Sequence, residues 1–303
     1  MSDGSAQREW LPWGKGVRLI ASHPSGLLAL EKPPGVLSHP NPDDAKSEKH
    51  ALFKAPYDFE RECYHQLEGE GAPEVVHLLH RLDSATSGVI LVSTDDKVAE
   101  TIRARFQSND AEKTYYAVVK GTGRPGMHGQ WVDRLEKSKR GSGGPVHMRS
   151  GRALEARTGY FWERSDRYHF GLSLMKLMPL TGRTHQLRYQ CSKHKMPILG
   201  DRVYGEFRFN RLLTEATGNK RLYLHAAKIQ VKFLYNGEMV RFGAESPIPK
   251  MFDEILGDNE EWVSRLTKKP THQSAAARKL AQVRDSLRGP HARRQSGRHR
   301  GRK

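Results

Sequence analysis

The sequence predicts an α+β fold in which strands outnumber helices, and three observations lead there. Short apolar runs of strand length recur, as in Leu27-Leu28-Ala29-Leu30, Val89-Ile90-Leu91-Val92 and Thr114-Tyr115-Tyr116-Ala117-Val118-Val119. Proline and glycine punctuate them at His23-Pro24-Ser25-Gly26, Lys32-Pro33-Pro34-Gly35 and Gly237, the chemistry of turns between strands. Helical spacing is confined to a few stretches. The 303 residues, 36% of them hydrophobic, suffice to fill one large core.

In chain order, residues 1–16 read as a flexible lead with Trp10 and Trp13 as docking points, and Arg18–Ser22 and Leu27–Glu31 as the first two strands. The prolines then stop the second strand, because they supply no backbone donor and restrict the residue before them. Between Asn41 and Gly71 the pattern is mixed. Part of Tyr57–Leu67 is expected to be helical and to pack against the segment carrying Asp83. Asp95 is a candidate N-cap for a helix over Lys97–Phe106, where Val98, Ile102 and Phe106 share one side. Thr114–Val119 forms a strand ended by Gly121, and residues 121–151, rich in Gly, Lys and Arg, form an excursion with short strands. Further strands are expected around Ala153–Ala156, Tyr168–Leu177 and Arg221–Leu234, the last followed by a hairpin turn at Gly237. Thr181–His194 opens as a glycine turn and continues as a helix, and Met251–Leu266 is helical. Residues 17–269 thus make one catalytic-sized domain without internal repeats, and 270–303 a basic, disordered tail in which Ser274–Leu287 has the makings of a basic helix on a partner.

Lys+Arg is 51 against 34 Asp+Glu, a formal charge of +17, which favours a polyanionic partner, nucleic acid or an anionic membrane surface. From Thr271 onward ten Lys/Arg face one acid, Asp285, so the tail holds +9 and the rest of the chain is still basic at +8. No apolar run approaches the length of a transmembrane helix, and Met1–Trp10 has no signal-peptide stretch. With Cys63 and Cys191 as the only thiols, neither a disulfide framework nor a zinc site is indicated, and the cytoplasm is the expected compartment.

Two polar clusters carry candidate chemistry. His80-Arg81-Leu82-Asp83-Ser84-Ala85-Thr86-Ser87-Gly88 precedes a buried-strand pattern, which would hold Asp83 still while the adjacent basic groups favour its ionised form. Asp83 is either a turn residue in a surface ion pair or a chemically active carboxylate. Thr181-Gly182-Arg183-Thr184-His185-Gln186-Leu187-Arg188 is either a solvated helix end or an anion clamp. If the helix starts at Thr184, His185 and Arg188 share a face, and two guanidiniums join the backbone donors. The chain has 15 His but no HExxH and no Cys/His set at metal-ligand spacing. Neither GxxxxGK[ST], GxGxxG nor GxSxG occurs. Asp83, the Arg183/Arg188 pair and Tyr115 therefore describe a site needing no metal or cofactor, in which Asp83 acts as nucleophile or base toward a sugar or base of nucleic acid.

Several ordered blocks resemble the RluA-type RNA pseudouridine synthases. They are Glu31–Val36 with His39-Pro40, His80–Asp83 with Thr86-Ser87-Gly88, Lys113–Ala117, Thr181–Arg188 with Pro197–Asp201 and Tyr204-Gly205, and Arg221–Ala226. The likeness spans about Ile20 to Ile248. Two departures stand out. Tyr189-Gln190-Cys191 and His194-Lys195-Met196 replace a histidine-containing stretch and a glycine usual in the family, and there is no room before the first block for the S4-type RNA-binding domain many relatives carry. The resemblance implies a stand-alone pseudouridine-synthase-like fold, with a mixed, largely antiparallel central sheet flanked by helices and loops. It also implies a monomer acting without cofactor on tRNA or rRNA. Residue by residue, it implies that Asp83 is the catalytic aspartate and Arg188 its charge partner. Tyr115 would stack on the uracil and help remove the C5 proton. Arg81 would reach into the RNA, Leu224 would pack on the base, and Arg183 and His185 would support the pocket or touch phosphate. The rival expectation is a non-catalytic RNA-binding protein on the same scaffold.

Overall fold

The computed structural model describes residues 12–69, 71–135, 154–166 and 171–257. The tail beyond 257 and Lys137, Lys139 and Arg140 of the excursion lie outside the described residues. Among the described residues twelve strands join in one sheet: β1 (Arg18–Ser22), β2 (Leu27–Lys32), β3 (Tyr57–Asp58), β4 (Cys63–His65), β5 (Val75–Leu78), β6 (Ser87–Ser93), β7 (Glu112–Lys120), β8 (His128–Leu135), β9 (Leu154–Asp166), β10 (Leu172–Pro179), β11 (Leu224–Tyr235) and β12 (Glu238–Glu245). Among the described residues four α-helices accompany it: α1 (Asp96–Gln107), α2 (Gln186–Lys193), α3 (Phe207–Thr217) and α4 (Lys250–Leu256). The main path runs β3-β4-β5-β6-β11-β7-β10-β9-β8, with β1-β2 added to β6 and β12 to β11. The named strands pair antiparallel except for β6 and β11, which meet parallel at Ser87↔His225 and Gly88↔Ala226. The α+β, mixed and largely antiparallel expectation describes this sheet.

Period-two alternation sorts the core onto two faces. Leu28, Leu30, Ile90 and Val92 face one cluster with Phe53, Tyr64 and Leu82. Leu27, Ala29, Val89 and Leu91 face the other, under Val98, Ala99 and Ile102 of α1. Asp95 caps that helix by accepting from the Val98 amide at 2.8 Å, as its position predicts. In the other half of the sheet, Ala117, Val119 and Leu177 pack with Leu187 of α2. Val118 and Leu174 pack on the opposite side with Phe209 of α3 and Phe252 of α4. Trp13 docks on Phe53 with ring centroids 5.6 Å apart.

The join between β6 and β11 positions the site. Gly88 has φ +116°, and a Cβ there would lie 2.1 Å from the Ala226 carbonyl oxygen, so only glycine lets the strands meet. Between the stretch paired with β5 and the stretch paired with β11, the edge of β6 lacks a strand partner. His80 fills that gap: its Nε2 accepts from the Leu91 amide at 3.0 Å, and its ring stacks on Phe106 of α1. A buried amide is thereby satisfied by a side chain.

Four expectations are corrected. Tyr57–Leu67 is not helical but holds β3 and β4, because Tyr57 and Tyr64 pair across a turn and pack as neighbouring rings. It does pack against the Asp83 segment, since the Tyr64 hydroxyl donates to the Ser38 carbonyl and Ser38 is bonded to Leu82. The strand at Ala153–Ala156 continues as β9 to Asp166, sustained by β8 on one side and β10 on the other. α2 starts at Gln186, with His185 left-handed at φ 55° before it. α4 ends at Leu256, where Gly257 is a left-handed cap at φ 85°.

Candidate active site

Asp83 sits in the turn that feeds β6. Its carbonyl accepts from the Thr86 amide at 3.0 Å, and the next carbonyl, that of Ser84, accepts from the Gly35 amide at 2.7 Å and the Lys32 ammonium at 3.0 Å. Lys32 Nζ also donates to the Val36 and Pro33 carbonyls at 2.7 and 3.2 Å. Lys32 is wholly buried, and that burial pushes its ammonium down to about 7, opposed by the Asp83 charge and reinforced by Arg221. A buried cation thus ties the first block of the chain to the aspartate turn.

Arg188, from the first turns of α2, joins two carboxylates. Its Nη1 donates to Asp83 Oδ2 at 2.9 Å, while Nε and Nη2 donate to Asp201 Oδ2 and Oδ1 at 2.8 and 2.9 Å. The Asp201 side chain is fully buried, whereas that of Asp83 keeps 25% of its surface exposed. Asp201 Oδ1 also accepts from the Val203 and Tyr204 amides at 2.8 and 3.0 Å. Burial alone would raise the Asp201 carboxyl, but these donors, Arg188 first, hold it below its ordinary value. Burial likewise opposes the Arg188 charge, and its bonds to Asp201 and Asp83 outweigh that and raise the guanidinium above its ordinary range. Arg188 also lies over the Tyr204 ring, 5.5 Å from its centroid.

The other expected residues divide. His185 Nε2 lies 3.8 Å from Asp83 Oδ1, and its Nδ1 is 3.2 Å from the Tyr204 hydroxyl. Burial lowers its imidazole below the ordinary value against the pull of Asp83. Because His185 precedes α2, it reaches Asp83 by its left-handed backbone and not by sharing a helical face with Arg188. Tyr115 packs against both clusters on the site's face of the sheet, and burial, with the Asp83 charge, pushes its phenol far above the ordinary range. Leu224 is buried opposite Ala117, in the cluster that Tyr115 and Leu187 share. Arg81 is exposed beside the turn. Arg183 is exposed too, and its Nε donates to the Glu155 carbonyl at 3.3 Å, while Arg188 is the guanidinium bonded to Asp83.

A family model described as RNA pseudouridylate synthase matches residues 26–193, more than half of the chain. The chain belongs to that family. Among its relatives, the tRNA pseudouridine synthase C of Pectobacterium carotovorum subsp. carotovorum is 30% identical over 233 residues, covering 74% of this chain and 57% of the relative. That of Yersinia pestis is 32% identical over 179 residues, covering 56% and 68%. The ribosomal large subunit pseudouridine synthase C of Escherichia coli (strain K12) is 33% identical over 171 residues, covering 56% and 52%. The chain therefore spans between about half and two thirds of these relatives. The human RNA pseudouridylate synthase domain containing 1 superposes with a TM-score of 0.55 at 21% identity, covering 90% of this chain and all of that one, which shows the shared fold.

For this pseudouridylate synthase family member, two residues of the site were not singled out from sequence. Asp201 follows the turn at Leu199-Gly200, and its place in the fourth block, with Thr181–Arg188, is its sequence signal. Lys32 lies at a strand end before two prolines, and nothing in the sequence marks a lysine as buried. Among the described residues no group of three or more His, Cys, Asp or Glu has the arrangement of a metal site, and no helix is long and apolar enough to cross a membrane.

Proposed function

We propose that this chain isomerises uridine to pseudouridine within tRNA or rRNA, with Asp83 as the catalytic carboxylate. The observation that carries the reading is the Asp83–Arg188–Asp201 chain, in which a carboxylate with a quarter of its surface exposed is held by a guanidinium that a second, fully buried carboxylate anchors. Such a group is fixed in place, charge-compensated and still reachable from solvent.

In this reading a uridine is turned out of its stack and its ribose is brought to Asp83. Arg81, exposed next to the aspartate, holds the vacated place in the RNA. Asp83 either attacks C1′ or removes the 2′ proton. The N1–C1′ bond breaks and uracil turns; C5 then bonds to C1′ as the Asp83–C1′ bond breaks on the first route, or as Asp83 returns its proton to C2′ on the second, and the C5 proton leaves to solvent as N1 gains one. Tyr115 supplies a ring face to the base. Its raised phenol stays protonated near neutral pH, which speaks against a phenolate collecting the C5 proton. Leu224 completes the apolar floor. His185, close to both Asp83 and Tyr204, orients the carboxylate, and Arg183 offers its remaining donors to phosphate. The reading needs neither metal nor cofactor, and the protein is taken to work as a cytoplasmic monomer. The basic tail adds phosphate contacts, so removing Thr271–Lys303 should flatten the salt dependence of RNA binding.

The test is tritium release from C5-tritiated uridine in separate tRNA and rRNA pools from cells lacking the gene, without added metal. Asp83→Asn should abolish release and leave RNA affinity nearly intact. Wild-type yield from Asp83→Asn would refute the assignment. Binding without release from any RNA pool, precursors and ribosomal particles included, would favour a non-catalytic RNA-binding protein.

A further inference from the structure

A cluster of three rings lies outside the carboxylate clamp. His39 and Tyr57 stack with centroids 5.2 Å apart and planes 18° from parallel. Phe59 stands at 85° to His39 and 78° to Tyr57, with centroids 5.7 and 5.1 Å away, and 46% of it is exposed. Lone exposed apolar side chains are ordinary, but this ring is held by two others at fixed angles.

The turn that carries Phe59 is ordered in advance. Asp58 Oδ1 accepts from the Glu60 and Arg61 amides at 2.8 and 3.0 Å, and Arg103 of α1 donates to the Arg61 and Glu62 carbonyls at 3.1 and 2.8 Å. A ligand stacking there would meet a rigid surface and lose little to ordering it.

The cluster is also coupled to the aspartate turn. Ser38, next to His39, donates to the Leu82 carbonyl at 2.8 Å and accepts from the Leu82 amide at 3.0 Å. Leu82 separates Arg81 from Asp83. Burial and then Glu62 raise the Tyr57 phenol, while the Arg103 and Arg81 charges oppose them, which brings Arg81 within electrostatic reach of the rings. Arg61 and Arg81 are both exposed here, so aromatic faces and phosphate-binding charge occur together.

We infer that His39, Tyr57 and Phe59 form a stacking subsite for an unpaired nucleobase that flanks the uridine presented to Asp83. The inference rests on RNA being the substrate. Every nucleobase has a π-face, so such a platform grips single-stranded RNA with little sequence preference and leaves the choice of base to the pocket.

The test uses Phe59→Ala, Phe59→Leu and Phe59→Trp in the full chain. Kd for the tRNA and rRNA pools is read at physiological salt, and KM and kcat by tritium release. Loss of one base stack raises Kd and KM roughly 5- to 150-fold in the Ala and Leu variants, with the effect absent from kcat. Trp holds both near the wild-type values. The same Kd in all variants overturns the inference. So does a Leu variant that binds like wild type, since that surface needs only apolar area and would suit a protein partner. Kd is measured again in an Asp83→Asn background. An inactive wild type would then sink the isomerase reading, while the Phe59 series still decides the subsite. Phe59→Leu, which keeps most of the buried area, guards against a folding defect in Phe59→Ala.

Discussion

Asp201→Asn should damage this protein more deeply than Asp83→Asn, although of the two only the Asp83 side chain keeps exposed surface. Asp201 receives four donors: Arg188 Nε on Oδ2, and Arg188 Nη2 and the Val203 and Tyr204 amides on Oδ1. An asparagine that keeps its oxygen toward the three donors on Oδ1 turns its amide toward Arg188 Nε, placing donor against donor. The Arg188 side chain is only 8% exposed, so its charge would be left with Asp83 as sole counter-ion. Breaking a buried pair from one side costs about 3–5 kcal/mol, or a Tm drop of roughly 5–10 °C at this size. Asp83→Asn keeps an oxygen for Arg188 Nη1 at a site where 25% of the side chain is exposed, and should change stability by no more than about 1 kcal/mol. Urea and thermal unfolding of both variants, with tritium release alongside, make the comparison. Asp201→Asn should be unstable and nearly inactive, Asp83→Asn stable and inactive. If Asp201→Asn unfolds within about 1 kcal/mol of wild type, or Asp83→Asn is the less stable of the two, Asp201 does not anchor the clamp.

Three further outcomes follow from the same geometry. Gly88→Ala puts a Cβ 2.1 Å from the Ala226 oxygen and should lower stability by roughly 4 kcal/mol or more. Gly35→Ala, with φ +91° but no atom within 4 Å, should lose only about 1–2 kcal/mol, and equal losses on urea unfolding would deny the close approach. Lys32→Met takes the ammonium donor from the Pro33, Val36 and Ser84 carbonyls, of which Ser84 keeps the Gly35 amide. It should reduce stability by about 2–5 kcal/mol and lower turnover by loosening the Asp83 turn, and a fully active, equally stable variant would remove Lys32 from the support. Burial lowers the imidazoles of His80 and His225, to about 3 and about 4, from 6.5. Below pH 6.5 the unfolded chain binds these protons before the folded one, so stability present above that pH is lost as pH falls toward the folded values. For His225 the full loss is about 3 kcal/mol. NMR titration should find both rings neutral at pH 5, and titration near 6.5 would contradict the lowering.

Much of the fold was legible because local sequence decided it. The apolar run Val89–Val92 had no polar alternative to a buried strand. Asp95 could cap the next helix with its own side chain, and Gly237 marked the β11–β12 hairpin turn, which it makes together with a left-handed Asn236. Tyr57–Leu67 was misread because its two short strands exist only through pairing with each other and with β5. β9 extends past the expected strand because its last ten residues, Arg157–Asp166, are held between β8 and β10, a pairing that local pattern does not show. Residue type in sequence order marked Asp83, Arg188 and Tyr115 as candidates. It carried no sign that Arg183 would turn away to Glu155, nor that Asp201 and Lys32 would be buried beneath the turn.

The sequence by itself determined which segments alternate, where the chain turns, and that its charge suits a polyanion, since each follows from side chains acting over a few residues. Only the tertiary structure decided that Arg188 reaches across 105 positions to Asp83, that β6 and β11 run parallel at Gly88, and that a lysine is buried among three carbonyls. Those outcomes depend on which surfaces exclude water together, and that is a property of the folded chain as a whole.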